Sequence, residues 1–152
     1  MKKVKILTIL SFIFIASASG QNCKKFHIYG SCMQEPGKEY KMDRQSRSNV
    51  IGYGDKLIYN MVVYADRKYK LIFCTSEEFA PVHYRIKDAF TSGIIYDNKL
   101  DDYAESVTFN NNYTRKILIE LEVLAKDATD EVKLSFLGCS GVLIFYTEQD
   151  TR

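Results

Sequence analysis

The sequence predicts an all-β protein, an antiparallel β-sandwich of jelly-roll or Greek-key type with about eight strands. Short segments rich in Val, Ile, Tyr and Phe recur at intervals of roughly ten residues, as they do in sandwiches. Several of these segments alternate apolar and polar side chains, which is the pattern of a strand with one buried face. No segment has the period of a long amphipathic helix, although a short helix would fit residues 23–29.

The first 20 residues have the organisation of a secretory signal peptide. Three lysines precede an apolar run over 6–15, and small residues occupy 16–20. The run is about half of the roughly 20 residues that a membrane-spanning helix needs. We therefore expect cleavage before Gln21, with cleavage after Ala18 as the alternative, and one β-sandwich domain over 21–152 with no transmembrane segment. That domain would be exported and would be periplasmic, extracellular or associated with the cell surface.

The mature chain is close to neutral. Removal of Lys2, Lys3 and Lys5 lowers the number of Lys and Arg residues from 21 to 18, whereas Asp and Glu remain at 19, so the formal net charge changes from +2 to −1. Proteins that bind nucleic acid or anionic membranes usually carry a basic patch or a basic excess. The composition therefore gives no basis for either partner.

The stretch from Asp55 to Cys74 is expected to form the central hairpin of the sandwich. Its two apolar runs, 57–64 and 69–74, are rich in β-branched and aromatic residues, and a polar turn over 65–68 joins them. Both runs are too short and too β-branched for a helix.

Further strands are expected on both sides of this hairpin. A polar loop leads into an edge strand within 40–50, before the turn 52–54. The strands after the hairpin are expected at 82–87, 93–96, 105–109, 116–123, 132–136 and 142–146. The last of these is apolar on both faces, which predicts a central strand.

The four cysteines all lie in the mature chain, and an even number in an exported protein indicates disulfides. Cys23 and Cys32 are close in sequence and are expected to close a small N-terminal loop. Cys74 and Cys139 would then join the hairpin to the last strand. The two other possible pairings remain open.

A catalytic site is not evident, and we predict no catalytic residue, metal or cofactor. The mature chain has two histidines, His27 and His83, and neither lies in a recognisable motif. The turn 138–141 lacks the Gly-x-Ser-x-Gly spacing of a nucleophile elbow. The alternative is a small secreted hydrolase in which His27 or His83 activates a Ser or Cys.

An acidic loop over 97–105 is a candidate cation site. Lys99 and Leu100 occupy positions where a calcium loop needs oxygen ligands, and the loop has no glycine. A solvated loop is the simpler interpretation.

Candidate binding residues come from an arginine-containing edge strand and from loop tyrosines. The strand charges could contact an anion or a partner, or could simply discourage edge-to-edge aggregation. Loop tyrosines are common on protein-binding surfaces, whereas the absence of tryptophan disfavours a sugar site. We therefore predict a non-enzymatic exported β-sandwich that binds a protein or a cell-envelope component. The candidate binding residues are Arg44, Gln45, Arg47, Tyr53, Tyr96 and Tyr103.

The order of several motifs supports this prediction by resemblance. The motifs are YKMDRQSRSNV, GDKLIYNMVVYADRKYKLIFC, HYRI, IYDN, KILIELEV and GCSGVLIFY. In this order they resemble small exported β-sandwich proteins of Bacteroidota that carry no assigned activity. The chain is more loosely similar to the bacterial pre-peptidase C-terminal domain, but it lacks the Asp-rich strand of that family and no protease is attached. The resemblance implies an exported sandwich and leaves its purpose open.

Overall fold

The computed structural model describes residues 22–29, 32, 35–79, 81–124 and 136–149. The predicted signal peptide and residues 132–135 of one predicted strand lie outside the described residues. Cleavage before Gln21 and the single mature domain therefore stay predictions.

Within the described ranges the chain forms nine β-strands and three short helical segments. The strands are β1 (Lys41–Met42), β2 (Arg47–Gly52), β3 (Lys56–Val63), β4 (Arg67–Thr75), β5 (Val82–Asp88), β6 (Ile94–Asp97), β7 (Ser106–Asn111), β8 (Arg115–Val123) and β9 (Leu137–Glu148). The helical segments are α1 (Phe26–Tyr29) and two 3₁₀ turns, Glu77–Phe79 and Asn98–Asp101. None of the helices in this part of the chain has the length and apolar character needed to span a bilayer.

The strands form two antiparallel sheets, which confirms the predicted all-β sandwich. In the first sheet β9 is central, with β4 and then β7 on one side and with β1 and β2 on the other. The second sheet has the order β3, β8, β5, β6. The prediction that the last strand is central is confirmed.

The predicted central hairpin is wrong, because β3 and β4 belong to different sheets. β3 pairs with β8 along its whole length, whereas β4 pairs with β9 and β7. The turn at 64–66 carries the chain across the sandwich, and Asp66 takes a left-handed φ of 56° there. Apolar composition identifies a strand, but the partner of that strand depends on register and on side-chain packing with distant strands.

The main core lies between the two sheets. The inward-facing side chains of β3, β4, β8 and β9 are almost fully buried, and the rings of Phe73 and Tyr84 stack with centroids 3.6 Å apart. The principal core residues are Tyr59, Met61, Tyr69, Leu71, Ile86, Ile117, Ile119, Leu121, Val142 and Ile144.

A second, smaller core covers the outer face of the first sheet. Ile72 of β4 and Leu143 of β9 are buried there beneath the N-terminal segment, which contributes Phe26 and Tyr40. Helix α1 lies directly on β9. A Cβ atom at Gly141 would be 3.0 Å from the Cβ of His27, so this close approach requires glycine.

Both disulfides attach the N-terminal segment to this outer face, so the predicted pairing is wrong. Cys23 is bonded to Cys139 of β9 and Cys32 to Cys74 of β4, with Cα separations of 5.3 and 5.0 Å.

The sheet register explains why the expected bridge does not form. Cys74 lies opposite Gly141, so Cys139 is its diagonal neighbour two residues along β9. Diagonal neighbours in a sheet are about 7–8 Å apart, which is more than a disulfide normally spans. Both cysteines therefore reach outward to the N-terminal segment.

Candidate functional site

Two of the predicted binding residues hold the two sheets together at one edge. The amide of Gln45 donates to the carbonyl of Val62 at 3.0 Å and accepts from its N–H at 2.9 Å. Arg47 donates to the carbonyl of Asn60, and its guanidinium lies 5.2 Å from the centre of the Tyr59 ring. These side chains therefore bond backbone groups on the free edge of β3.

Two of the predicted tyrosines also support local structure. The hydroxyl of Tyr53 donates to the carbonyl of Glu78 at 2.6 Å, and its ring contacts Phe79 edge-on. The hydroxyl of Tyr96 donates to Asp101 at 2.8 Å. Both side chains are only partly exposed.

Tyr103 lies beside a cleft at the same end of the sandwich as Tyr53. The cleft has a volume of about 220 Å³ and is lined by Phe73, Cys74, Thr75, Glu77, Pro81, Val82, Tyr84, Tyr103 and Glu105. Thr75, Tyr103 and Glu105 also interact with other parts of the chain. No histidine is among the described lining residues, and Cys74 is held in a disulfide.

Arg44, the last of the six predicted residues, is exposed in the turn before β2. The six residues therefore do not form one surface.

His27 lies close to a serine but does not activate it. Its Nδ1 is 2.9 Å from the Oγ of Ser48, and that hydroxyl donates its proton to the carbonyl of Cys23 at 2.6 Å. The serine oxygen must therefore accept from Nδ1–H of His27, which is opposite to the direction a general base requires. Partial burial lowers the pKa of His27, which favours this neutral ring. The hydrogen bond between His27 and Ser48 therefore joins α1 to β2. Neither residue is among the described residues that line the cleft.

His83 belongs to a row of charged side chains on the outer face of the second sheet. Its Nε2 is 2.8 Å from Asp97, and its Nδ1 is 4.0 Å from Glu122. On the same face Glu120 pairs with Lys87 at 2.8 Å and with Arg85 at 3.3 Å. These charges largely neutralise one another across neighbouring strands. Among the described residues, no group of three potential ligands is arranged to hold a metal ion.

The opposite end of the sandwich presents aromatic side chains that the sequence analysis did not single out. We define the turn end as three connections: 64–66 between β3 and β4, 89–93 between β5 and β6, and 112–114 between β7 and β8. Each connection exposes one aromatic ring. The exposed fractions are 48% for Tyr64, 96% for Phe90 and 58% for Tyr113.

A buried asparagine joins two of these connections. The amide nitrogen of Asn111 donates to the carbonyls of Tyr64 and Tyr113, both at 2.7 Å. Its amide oxygen accepts from Nε of Arg115 at 3.2 Å. Asn111 is 1% exposed, so these bonds are protected from water. The backbone next to both tyrosines is consequently fixed.

The third connection is ordered by Asp88. Its Oδ1 accepts the backbone N–H groups of Phe90 and Thr91, both at 2.9 Å, and its Oδ2 lies 3.6 Å from Arg115. The hydrogen bonds from Thr91 and Phe90 hold the pKa of Asp88 below its usual value. Phe90 is therefore an exposed ring on an ordered backbone.

Two arginines lie over aromatic rings at the turn end. The guanidinium of Arg115 is 4.7 Å from the centre of the Tyr113 ring. That of Arg67 is 4.3 Å from Tyr146 and 5.0 Å from Tyr64. Tyrosine and arginine are enriched among the residues that contribute most to protein–protein binding.

A sequence signal for this surface exists, but it is weak. Phe90 and Tyr113 each interrupt a polar turn, whereas Tyr64 reads as the end of an apolar strand. Sequence alone does not show that the three turns lie at the same end of the molecule, because they are joined by strands from two different sheets.

The fold and the turn end together define a small disulfide-linked β-sandwich with an ordered aromatic surface at one end. No protein-family model and no curated protein matches the chain. Among solved structures the chain is similar to PliG of Aeromonas hydrophila, a periplasmic inhibitor of g-type lysozyme. The TM-score is 0.47 and the identity is 10%, over 75% of this chain and 91% of PliG. A likeness at that level carries no conclusion about function. The resemblance to exported proteins of Bacteroidota stays a prediction.

Proposed function

We propose that this chain is an exported, non-enzymatic β-sandwich that binds another protein through the turn end. The observation that carries the proposal is the exposure of Tyr64, Phe90 and Tyr113 on three turns whose backbones are held by internal hydrogen bonds. The two disulfides support the exported location, because such bonds persist in oxidising compartments. The compartment would be the periplasm or the outside of the cell.

The energetics favour a binding role for these rings. Full burial of a side chain such as that of Phe90 is favourable by about 1.5–3 kcal/mol. This free energy is gained only when a partner covers the ring. Ordered turns lose little conformational entropy when a partner binds, so most of this energy is available for affinity. Aromatic residues and arginine also dominate the energetically important positions of known interfaces.

The alternative of a secreted hydrolase gains no support from the described residues. The His27 and Ser48 side chains are close, but the serine proton is donated to a backbone carbonyl. The contacts of His83 are to carboxylates and to the ring of Tyr103. A nucleophile with a general base is therefore not assembled in this part of the chain.

A comparative pull-down tests the proposal. The tagged mature protein would be incubated with the periplasmic and envelope fractions of its own organism, beside a Phe90→Ala/Tyr113→Ala double variant. The matched control is Leu100→Ala, which removes an 88% exposed side chain from a 3₁₀ turn outside the turn end. We expect the wild type and the control to retain equal amounts of the same protein. The double variant should retain at least about tenfold less of it.

Equal retention by all three chains would exclude the turn end as the binding surface. Binding to protein-free vesicles of envelope lipid, lost in the double variant, would instead make the partner a membrane. Thermal unfolding of Leu100→Ala should match that of the wild type, and the double variant should melt only slightly lower, because its side chains are exposed and only the contacts of Tyr113 with Arg115 are lost.

A further inference from the structure

Arg67 has an unusual position at the turn end. It is the first residue of β4 and lies on the same face as Tyr69, which is fully buried in the core. The side chain of Arg67 therefore lies at the mouth of the sandwich, half-buried, over the rings of Tyr146 and Tyr64. The rings restrain the guanidinium and reduce its contact with bulk water.

Within the ranges that the structure describes, no neighbouring carboxylate neutralises the charge of Arg67. Glu148 stands opposite it in the register of β4 and β9, yet among the described residues no carboxylate lies within 4.0 Å of the guanidinium. Nor does any described residue accept a hydrogen bond from it. The nitrogen atoms of Arg67 are not among the buried polar atoms that lack a partner, so its N–H groups face solvent and are accessible to a ligand.

Arg115 provides a direct comparison within the same surface. It also stacks on a tyrosine, but it pairs with Asp88 and donates to the side chains of Asn111 and Tyr113. Of the two stacked arginines, Arg115 therefore serves the fold, whereas the hydrogen-bonding capacity of Arg67 is unused in this part of the chain.

A carboxylate is the chemical group that fits Arg67. Both ring contacts place the guanidinium carbon over a ring face, so the accessible part of the group is its N–H edge. That edge offers parallel donors whose spacing matches the oxygens of a carboxylate or a phosphate, and a protein partner presents carboxylates in its Asp and Glu side chains. The surrounding rings lower the local dielectric constant, which strengthens a charged hydrogen bond made there.

We infer that the protein bound by the turn end presents an Asp or Glu side chain that docks on Arg67, with apolar surface around it covering Phe90 and Tyr113. The inference rests on the proposed function and specifies the chemistry of the partner. The apolar contact supplies most of the affinity, and the carboxylate fixes the orientation of the partner.

The first test measures whether Arg67 binds a carboxylate selectively. Mature protein labelled with ¹⁵N-arginine would be titrated with N-acetylglutamate methylamide, the neutral N-acetylglutamine methylamide and inorganic phosphate. The Nε–Hε signals of Arg67 and Arg115 would be assigned from Arg67→Lys and Arg115→Lys spectra. We expect the glutamate probe to shift the Arg67 signal about threefold more than the Arg115 signal, and the glutamine probe to shift neither.

Equal shifts of both arginines would overturn the inference, because they would indicate unspecific ion pairing. A larger response of Arg67 to phosphate than to the glutamate probe would also overturn it and would assign the position to a phosphate-bearing ligand.

The second test separates this inference from the proposed function. In the pull-down, Arg67→Lys keeps the positive charge but loses the planar fork, so we expect about fivefold less retained partner. If the Phe90→Ala/Tyr113→Ala variant loses the partner and Arg67→Lys retains it fully, the proposed function stands and the carboxylate inference fails. If none of these changes reduces retention, the proposed function itself fails.

Discussion

Asn111 is the residue on which the geometry of the turn end depends. Its amide joins the carbonyls of two connections and accepts from a charged arginine, all within a buried site. Removing this amide leaves two carbonyls and the Nε of Arg115 without partners, and each unsatisfied buried group costs about 1–3 kcal/mol.

We therefore expect Asn111→Leu to lower the free energy of unfolding by about 3 kcal/mol or more, measured by urea denaturation. The change keeps the number and branching of the side-chain heavy atoms but removes the hydrogen bonds. The matched control is Asn110→Ala on the same strand, where the side chain is exposed and the effect should stay within about 0.5 kcal/mol. A similar small effect of Asn111→Leu would show that the two connections are held by other contacts.

Gln45 and Arg47 illustrate a different outcome for polar side chains singled out from sequence. A charged edge strand can bind a partner, or it can satisfy the backbone of a neighbouring edge. Here the bonds to Val62 and Asn60 show the second role. Whether such side chains bind a partner or bond a neighbouring strand depends on which strand lies beside them in the fold. The local sequence does not show which strand that is.

At the scale of elements, the N-terminal segment acts as a cover for the outer face of the first sheet. It shields Ile72 and Leu143 from water and is attached at two points, Cys23 to Cys139 and Cys32 to Cys74. The first bond joins residues 116 positions apart and the second joins residues 42 apart. On the loop-entropy account they contribute about 5 and about 4 kcal/mol respectively.

Replacing either cysteine pair with serine should therefore lower the melting temperature substantially, with the larger decrease for Cys23 and Cys139. Differential scanning calorimetry of the two double variants measures the difference. Non-reducing peptide mapping checks the pairing directly and should recover Cys23 linked to Cys139. A peptide containing Cys74 linked to Cys139 would contradict the structure.

At the scale of the whole molecule, ion pairs between strands make the stability of the sandwich depend on pH. Hydrogen bonding and charge from Lys87, against the effect of burial, hold the pKa of Glu120 below its usual value. Asp88 has a lowered pKa through its bonds to Thr91 and Phe90. A carboxyl group whose pKa is lower in the folded state than in the unfolded chain stabilises the fold above its unfolded pKa, and this stabilisation is lost as pH falls through the folded value.

The free energy of unfolding should therefore decrease slightly as pH falls below about 6.5, because the lowered pKa of His27 means that the unfolded chain takes up a proton first, and should decrease further below about pH 4.5, where the carboxyl groups titrate. Urea denaturation at a series of pH values measures this decrease. Glu120→Gln should make the decrease smaller, because one of the responsible groups no longer titrates. Glu148→Gln is the control, since Glu148 is exposed and has no ion pair among the described residues. A pH dependence that is unchanged in Glu120→Gln would show that this carboxylate does not contribute.

Local sequence patterns are sufficient to predict the fold class, the approximate positions of most strands, the central place of β9 and the involvement of cysteines in disulfides. These features follow from local patterns, because alternation of apolar side chains and β-branched composition act within a few residues. Contacts between segments far apart in sequence select which strands pair, which cysteines bond and which aromatic rings share a surface. β3 and β4 show the reason, because two adjacent apolar runs can pair with each other or face each other across the core, and packing with distant strands selects between these arrangements. The same holds for Tyr64, Phe90 and Tyr113, which are separated in the chain and meet only when the two sheets bring their turns to one end.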